Sequence, residues 1–408
     1  MINIERPEDR IPAARFSLFA LGFRPFFLLA ALLAMVAVTI WLPYLFGYLS
    51  LADHFNPLLW HAHEMLFGYA VAVIAGFLLA AVRNWTSFDT PSGTPLMLLV
   101  LTWLLGRLAC TLPLGLPGEL IAAVDLAFLP AVILALAGPL IRARKLRNAV
   151  FLLILSLLTL ANLLMHLQAL NLAQTADQGV RLGLGLIVLV IVILGGRVIP
   201  FFTRNPLPGM EPRQWPWVEF CAPAGVALLL LLELLLELLL ELLALPALPA
   251  LYLALLSLAV GAILLLRLSG WYDKRIWSRP IIWVLHVAYG AIALGFLFKG
   301  LALLGWVPQS TAIHAFGFGG IGLITLGMMA RVSLGHTGRP LELPLLTLWG
   351  IRLLCLGAVI RVTATFLSND LGMALLIASA LCWVLAFAAF FKDYAPMLMR
   401  PRPDGRPG

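Results

Sequence analysis

Charge is scarce in this 408-residue chain: Asp, Glu, Lys and Arg together make up 11%, against about 25% in a soluble domain. With 62% hydrophobic residues and a mean hydropathy of +1.02, that shortage excludes an ordinary soluble fold and leaves an integral membrane protein. No stretch alternates apolar and polar residues at strand spacing, which excludes a transmembrane β-barrel. Cysteine is sparse as well. Cys110, Cys221, Cys355 and Cys382 are far apart and form no CxxC, so disulfides and thiolate zinc sites are not expected and all four read as small core residues. No P-loop, GxGxxG, HExxH or serine-nucleophile motif stands in a plausible context, which removes nucleotide chemistry and hydrolysis. Lys and Arg are missing altogether from the connectors 49–59, 113–118, 171–180, 245–246, 305–310 and 368–370.

What is present is a series of twelve apolar runs, each long enough to span a bilayer at about 20 residues per crossing. They cover 26–48, 60–82, 95–112, 119–141, 149–170, 181–202, 217–244, 247–267, 281–304, 311–331, 345–367 and 371–391. The predicted fold is all-α, a polytopic integral membrane helical bundle of about twelve transmembrane helices. Residues 1–25 form a cytoplasmic N-terminal segment, 26–394 a single transmembrane bundle and 395–408 a disordered cytoplasmic tail. The opening residues, with Arg6, Arg10, Arg15 and Arg24, do not resemble a secretory signal, and the first span reads as uncleaved. The connectors opposite the uncharged set carry Arg83, Arg142, Arg144, Lys145, Arg147, Arg204, Arg213, Lys274, Arg275, Arg279 and Arg339. By the positive-inside rule both termini of this multi-pass membrane protein are expected to be cytoplasmic. The net charge of +8 therefore reports topology and contact with anionic lipid, not a nucleic-acid patch.

Four histidines, His61, His63, His166 and His314, come from three separate spans and are predicted to lie at one depth near the outer face. Ionisable side chains inside a bilayer are costly and mark functional sites. Imidazole is also the commonest ligand for haem iron and copper. Span 2 opens Trp60-His61-Ala62-His63-Glu64-Met65. On a regular helix, His63 points about 200° from His61, so the two share a site only if the first turn is irregular; otherwise each serves a different one. An interfacial belt of Trp and His is the plainer alternative. In span 10, His314, Gly317, Gly320, Ile324, Gly327 and Arg331 form one stripe that either packs a neighbouring helix or leaves a gap for a flat macrocycle below His314. In span 5, Asn162 and His166 are helical neighbours, and His166 is as well explained by packing as by ligation. Met65 and Met165 read as core filler. His286 lies too near the opposite face to share a metal, His336 is interfacial and His54 is expected to be solvated.

Arg107, Arg197, Arg331, Arg352 and Arg361 exceed what topology needs. Arg197 and Arg331 are candidates to grip haem propionates, which are carboxylates, although each alone is explained by snorkelling. Span 6 ends Arg197-Val198…Thr203 and span 10 ends Arg331-Val332…Thr337, with Arg83…Thr86 a shorter version in span 2. Spans 2, 6 and 10 are four apart, an echo consistent with three four-helix repeats. The two ends are therefore expected to pack together. Glu233, Glu237 and Glu241 form a stripe in span 7 that is either a proton relay or a Leu/Glu expansion at the bundle edge.

Several segments resemble the NnrS family of bacterial membrane proteins: Leu21-Gly22-Phe23-Arg24-Pro25-Phe26-Phe27, Trp60-His61-Ala62-His63-Glu64-Met65 with Gly68, Gly76-Phe77-Leu78 with Asn84-Trp85-Thr86, Gly196-Arg197-Val198-Ile199-Pro200 with Thr203, Leu285-His286 with Tyr289, and Arg331-Val332-Ser333-Leu334-Gly335-His336-Thr337-Gly338-Arg339-Pro340. The resemblance implies a polytopic protein that contains haem, expected to be b-type, and copper, and that is associated with resistance to nitric oxide and nitrosative stress. It leaves the ligands open. On the residues themselves, His61, His63, His314 and His166 are the candidate metal and haem ligands, with Arg197 and Arg331 as further cofactor contacts. The implied partners are the lipid bilayer and nitric oxide or nitrosyl species. Spans 2, 6 and 10 are also spaced like the ligand-bearing helices of haem-copper oxidases and nitric oxide reductases. Span 6 has no histidine and span 7 no His-His pair, so binding or removal of nitrosyl adducts is favoured over reductase turnover. The alternative is a metal-free transporter whose His, Arg and Glu residues line a polar path.

Overall fold

The computed structural model describes residues 16–144, 146–236 and 250–405. Among them are twelve helices long and apolar enough to cross a membrane. They are α1 Phe23–Leu45, α2 Pro57–Thr86, α3 Thr94–Thr111, α4 Gly118–Arg142, α5 Asn148–Ala169, α6 Ala176–Arg204, α7 Pro216–Leu234, α8 Ala250–Ser269, α9 Pro280–Leu303, α10 Gln309–His336, α11 Leu345–Ala364 and α12 Asp370–Met399. The chain is a multi-pass membrane protein, and no strand occurs among the described residues. Helices suit this setting because each satisfies its own backbone hydrogen bonds where lipid offers none.

The helices are not equivalent. Buried residues make up 89% of the most apolar stretch of α2 and 83% of that of α10, against 22% for α7 and 28% for α11. Helices α2 and α10 therefore form the centre, and α7 and α11 lie at the rim. Helix α6 packs on both central helices, and α1 packs on α12 and α2, bringing the first and last helices together. Two polar links tie this core: Tyr69 of α2 hydrogen bonds Thr325 of α10, and Trp383 Nε1 of α12 donates to Ala34 O of α1 at 3.0 Å.

Both central helices contain a π-helical stretch that starts directly after a histidine. In α2 it covers Glu64–Ala70, after His63; in α10 it covers Ala315–Gly322, after His314. Such wide turns shift the helical register and recur at functional sites. Helix α4 is interrupted by a turn at Ala127, where Pro130 supplies no N–H for the Leu126 carbonyl, so Asp125 stands in the last turn before a break.

Some boundaries differ from the sequence reading. The first helix begins at Phe23 and buries Arg24 completely, because Arg24 Nη1 finds the carbonyls of Leu398 (2.9 Å) and Arg400 (2.8 Å). The tail expected to be disordered from residue 395 instead continues α12 to Met399, and Arg402 Nη1 donates to His336 O at 3.0 Å. In the glutamate stripe, Glu233 accepts from Lys299 Nζ at 2.7 Å; Glu237 and Glu241 lie outside the described residues.

Candidate metal centre and a second histidine site

Four consecutive helices, α2 to α5, each send one metal-ligating side chain to one point at the end of the bundle whose loops lack Lys and Arg. His63, Cys110, Asp125 and His166 are all buried, and their ligand atoms lie within 4.8 Å of one another. Asp125 Oδ2 is the hub. It accepts from His63 Nε2 (3.0 Å), His166 Nε2 (3.0 Å) and Asn162 Nδ2 (2.7 Å). Its other oxygen takes Arg107 Nη2, while Arg107 Nη1 donates to Glu64 Oε1 at 2.6 Å. His63 Nδ1 also faces Glu64 Oε1, at 3.2 Å.

Two glycines make this convergence possible. A Cβ on Gly106 would lie 2.8 Å from Asp125 Oδ1 and 3.1 Å from its Cα, and one on Gly68 would lie 2.8 Å from Glu64 Oε2 and 3.0 Å from Arg107 Nη1. Each glycine lets a charged group approach helix backbone closely. Trp103 Nε1 then donates to Gly68 O at 3.0 Å, satisfying a carbonyl in the wide turn.

The charges do not cancel. Two carboxylates, Glu64 and Asp125, share one guanidinium, Arg107, leaving one negative charge when the imidazoles are neutral. Since His63 Nε2 already donates to Asp125, its Nδ1 contact with Glu64 also needs a proton that a neutral ring lacks. Glu64 Oε2 and Arg107 Nε are buried with no partner. The group therefore suits one added cation, either a proton or a metal ion. With two imidazoles, a thiol and one carboxylate, the donor set favours a soft or borderline transition metal over Mg²⁺ or Ca²⁺.

The other two candidate histidines lie elsewhere. His61 stacks on Trp41 of α1, with ring centroids 4.1 Å apart, and its Nδ1 is buried without a hydrogen bond. His314 Nδ1 donates to Ser310 O at 2.7 Å, and its Nε2 accepts from Arg361 Nη2 of α11 at 2.8 Å. A backbone carbonyl on one ring nitrogen is how metal-binding histidines are commonly oriented; here a guanidinium occupies the other. Both rings are partly exposed, and the electrostatic influence of His314 and Arg361 reaches His61. Of the four histidines, His63 and His166 share the Asp125 network, whereas His61 is held by Trp41 and His314 by Ser310 and Arg361. The regular turn through His63 sends the two α2 rings to different sides, and the wide turn begins only after it.

The glycine stripe of α10 is mostly helix packing. Added Cβ atoms on Gly320 and Gly327 would meet Ile292 and Val284 of α9, whereas Gly317, one turn after His314, faces open space. The expected meeting of the α6 and α10 ends is present: the Arg331 guanidinium lies 3.9 Å from the Phe202 ring centroid. Thr86, Thr203 and Thr337 each bond the carbonyl four residues earlier. Arg197 turns instead to Asn148 Oδ1, at 3.1 Å, and Arg331 Nη1 is buried without a partner.

A family model described as NnrS protein matches residues 17–402. The chain belongs to the NnrS family. No curated protein matches it. In this NnrS chain Cys110 and Asp125 of the metal group, and His54 beside it, were not read as site residues from the sequence. Cys110, taken for a core residue, is one helical turn beyond Arg107, and that shared face of α3 was the available signal. His54, expected to be solvated, is 8% exposed and its Nε2 donates to His166 Nδ1 at 2.8 Å; burial and the nearby His166 and His63 push its pKa down to about 4. His286 faces backbone carbonyls on both sides, Ile282 O at 3.2 Å from Nδ1 and Trp271 O at 3.3 Å from Nε2, of which a neutral ring donates to one.

Proposed function

We propose that this protein is a haem- and copper-containing membrane protein of the nitric oxide response, with His63, His166, Cys110 and Asp125 as its copper centre. The observation that carries this reading is the convergence of four buried ligand-type side chains from four helices within 4.8 Å. Copper would supply a redox-active centre with affinity for nitric oxide. The chain's own part would be to hold and neutralise it: His63 and His166 would offer Nε2 with the ring proton moved to Nδ1, Arg107 would pair with both Asp125 and Glu64, and Asn162 and His54 would orient Asp125 and His166. With Cys110 bound as thiolate, Glu64, Asp125 and Arg107 would leave two negative charges, which a cupric ion would cancel and a cuprous ion would halve.

His61 and His314 are the imidazoles left for b-type haem. His61 has an unpartnered ring nitrogen, and Gly317 leaves open space near His314. At the bundle centre, an apolar cavity of about 70 Å³ lies between α1, α2, α6 and α10, lined by residues such as Phe27, Phe77, Val198, Ile324 and Met328. It is far below the roughly 300–1,000 Å³ of ordinary ligand pockets. It is too small for a macrocycle but admits a diatomic gas. Nitric oxide partitions into lipid and needs no hydrated channel to arrive. By the positive-inside rule, both termini are cytoplasmic in a bacterial inner membrane and both histidine sites lie in the outer half. Binding or removal of nitric oxide or metal-nitrosyl adducts fits this placement.

The test compares growth and respiration under a nitric oxide donor with and without the gene, and records spectra of the reduced, purified protein with nitric oxide. Protection together with a nitrosyl spectrum supports the reading. Equal sensitivity and no nitrosyl spectrum leave the metal-free transporter ahead. One observation favours that second reading: the Asp125 network is almost wholly hydrogen bonded by protein groups alone.

A further inference from the structure

The end of the bundle with basic loops holds a second concentration of charge, only partly ion-paired among the described residues. Arg24 is 0% exposed. Its Nη1 is used by the carbonyls of Leu398 and Arg400, but its Nε and Nη2 have no partner. These two atoms form one edge of the guanidinium, the edge that grips an oxyanion side-on.

The surroundings are basic. Arg339 and Arg402 lie close enough to repel Arg24, and Arg24, Arg83 and Arg402 all act on His336. The His336 ring packs on Phe23 with centroids 5.5 Å apart, Arg402 holds the His336 carbonyl, and a Cβ on Gly338 would lie 3.2 Å from Arg402 Nη2. The segments Gly22–Phe27 and Gly335–Pro340, far apart in sequence, thus meet here. Among the described residues Asp404 is the carboxylate that enters this group, and Arg402 binds both its oxygens. Arg83 has Asp89 at 3.1 Å. Burial and Arg400 push the Arg339 guanidinium below its ordinary value. A buried cation with two idle donors, ringed by further cations, is costly unless an anion completes it.

We propose that Arg24, Arg339, Arg400 and Arg402, beside His336, form a binding site for a phosphate oxyanion. Guanidinium forks match phosphate geometry, and the site lies at the membrane edge, where phospholipid headgroups are and where basic pockets between helices hold them. The phosphate comes either from an anionic phospholipid or from free phosphate. Bound there, it would clamp the start of α1 to the end of α12 and the end of α10.

The test uses the full-length protein, delipidated in detergent. Its thermal midpoint is followed on titration with phosphatidylglycerol micelles, with inorganic phosphate, and with a phosphate-free glycolipid as control. Phosphatidylglycerol raises the midpoint if a lipid is the source, and inorganic phosphate does so if it is the free ion. Arg339→Gln and Arg402→Gln, which leave the carbonyl bonds of Arg24 in place, should each raise the half-saturating concentration roughly tenfold, the value of one charge-assisted hydrogen bond. Arg24→Lys, which keeps the charge but loses the fork, should do the same if it folds. The proposal is overturned if the glycolipid stabilises as well as the phosphate probes, or if Arg339→Gln and Arg402→Gln respond as the wild type does.

Discussion

His61 and His63 are two residues apart on one helix turn, yet they occupy opposite kinds of environment. His63 is 0% exposed and belongs to a closed network of carboxylates, a guanidinium, an amide and a second imidazole. His61 is partly exposed, stacks on Trp41, and has a ring nitrogen with no partner. The difference is one of preorganisation. The His63 site is closed and polar, whereas His61 and His314 are sparsely held, with a guanidinium at the lone pair of His314. A site of the first kind discriminates among ions by its fixed donor set. One of the second kind leaves room for a larger ligand.

This contrast can be broken most forcefully at Asp125. Asp125→Ala removes the acceptor shared by Arg107, His63, His166 and Asn162 and leaves Arg107 buried with Glu64 alone. Loss of one partner from a buried ion network costs about 3–5 kcal/mol, so the thermal midpoint in detergent should fall steeply. A small change would mean that the network is not a stability element.

A smaller effect is expected from Gly106→Ala. Its methyl would press on the Cα of Asp125, and overpacking of this kind costs about 1–3 kcal/mol. The same substitution at Gly317, which faces open space, should be nearly neutral in the same melting assay. Equal effects at both glycines would erase the proposed difference between a tight and an open site.

At the second site, Arg361→Gln releases the Nε2 of His314. The bond lies in a partly exposed place, so about 1 kcal/mol of stability should be lost, while copper content stays unchanged. Copper loss in this variant would show that the two sites are one.

The smallest effect comes from a pair at the surface, which sets the scale. Asp273 is held down to about 2 by its hydrogen bonds with Arg275. Its folded-state pKa is below the ordinary 3.8, so its contribution is present above that value and disappears as pH falls toward 2. Asp273→Asn should lower the midpoint slightly at pH 7 and not at all near pH 2. A large effect at neutral pH would mean that loop 270–279 anchors the bundle.

The twelve spans were legible in the sequence because spanning is a matter of length and apolar composition, both written in the residues. Their ends were less legible. Arg24 reads as a cytoplasmic charge until α12 supplies two carbonyls for it, and no local pattern announces that contact. The depth of the histidines followed from counting along each helix, so all four were placed near one face. Which histidines share a site did not follow, since it depends on the rotation of each helix about its axis. The wide turns after His63 and His314 change that rotation, and no residue pattern in Glu64–Ala70 specifies a π turn over an α turn. His54 was misread because a loop residue can fold under its own helices, while Cys110 could have been found from its spacing to Arg107.

The central claim is that α2 serves two separate sites, with copper at His63 and not at His61. The most direct measurement is copper per protein, by elemental analysis, in His63→Ala, His166→Ala, His61→Ala and His314→Ala variants that insert normally into the membrane. The account predicts at least a tenfold loss of copper affinity in the first two, since even outer-shell substitutions cost about 10–100-fold, and wild-type copper in the last two. Full copper in His63→Ala and His166→Ala, or equal loss in all four, would contradict it.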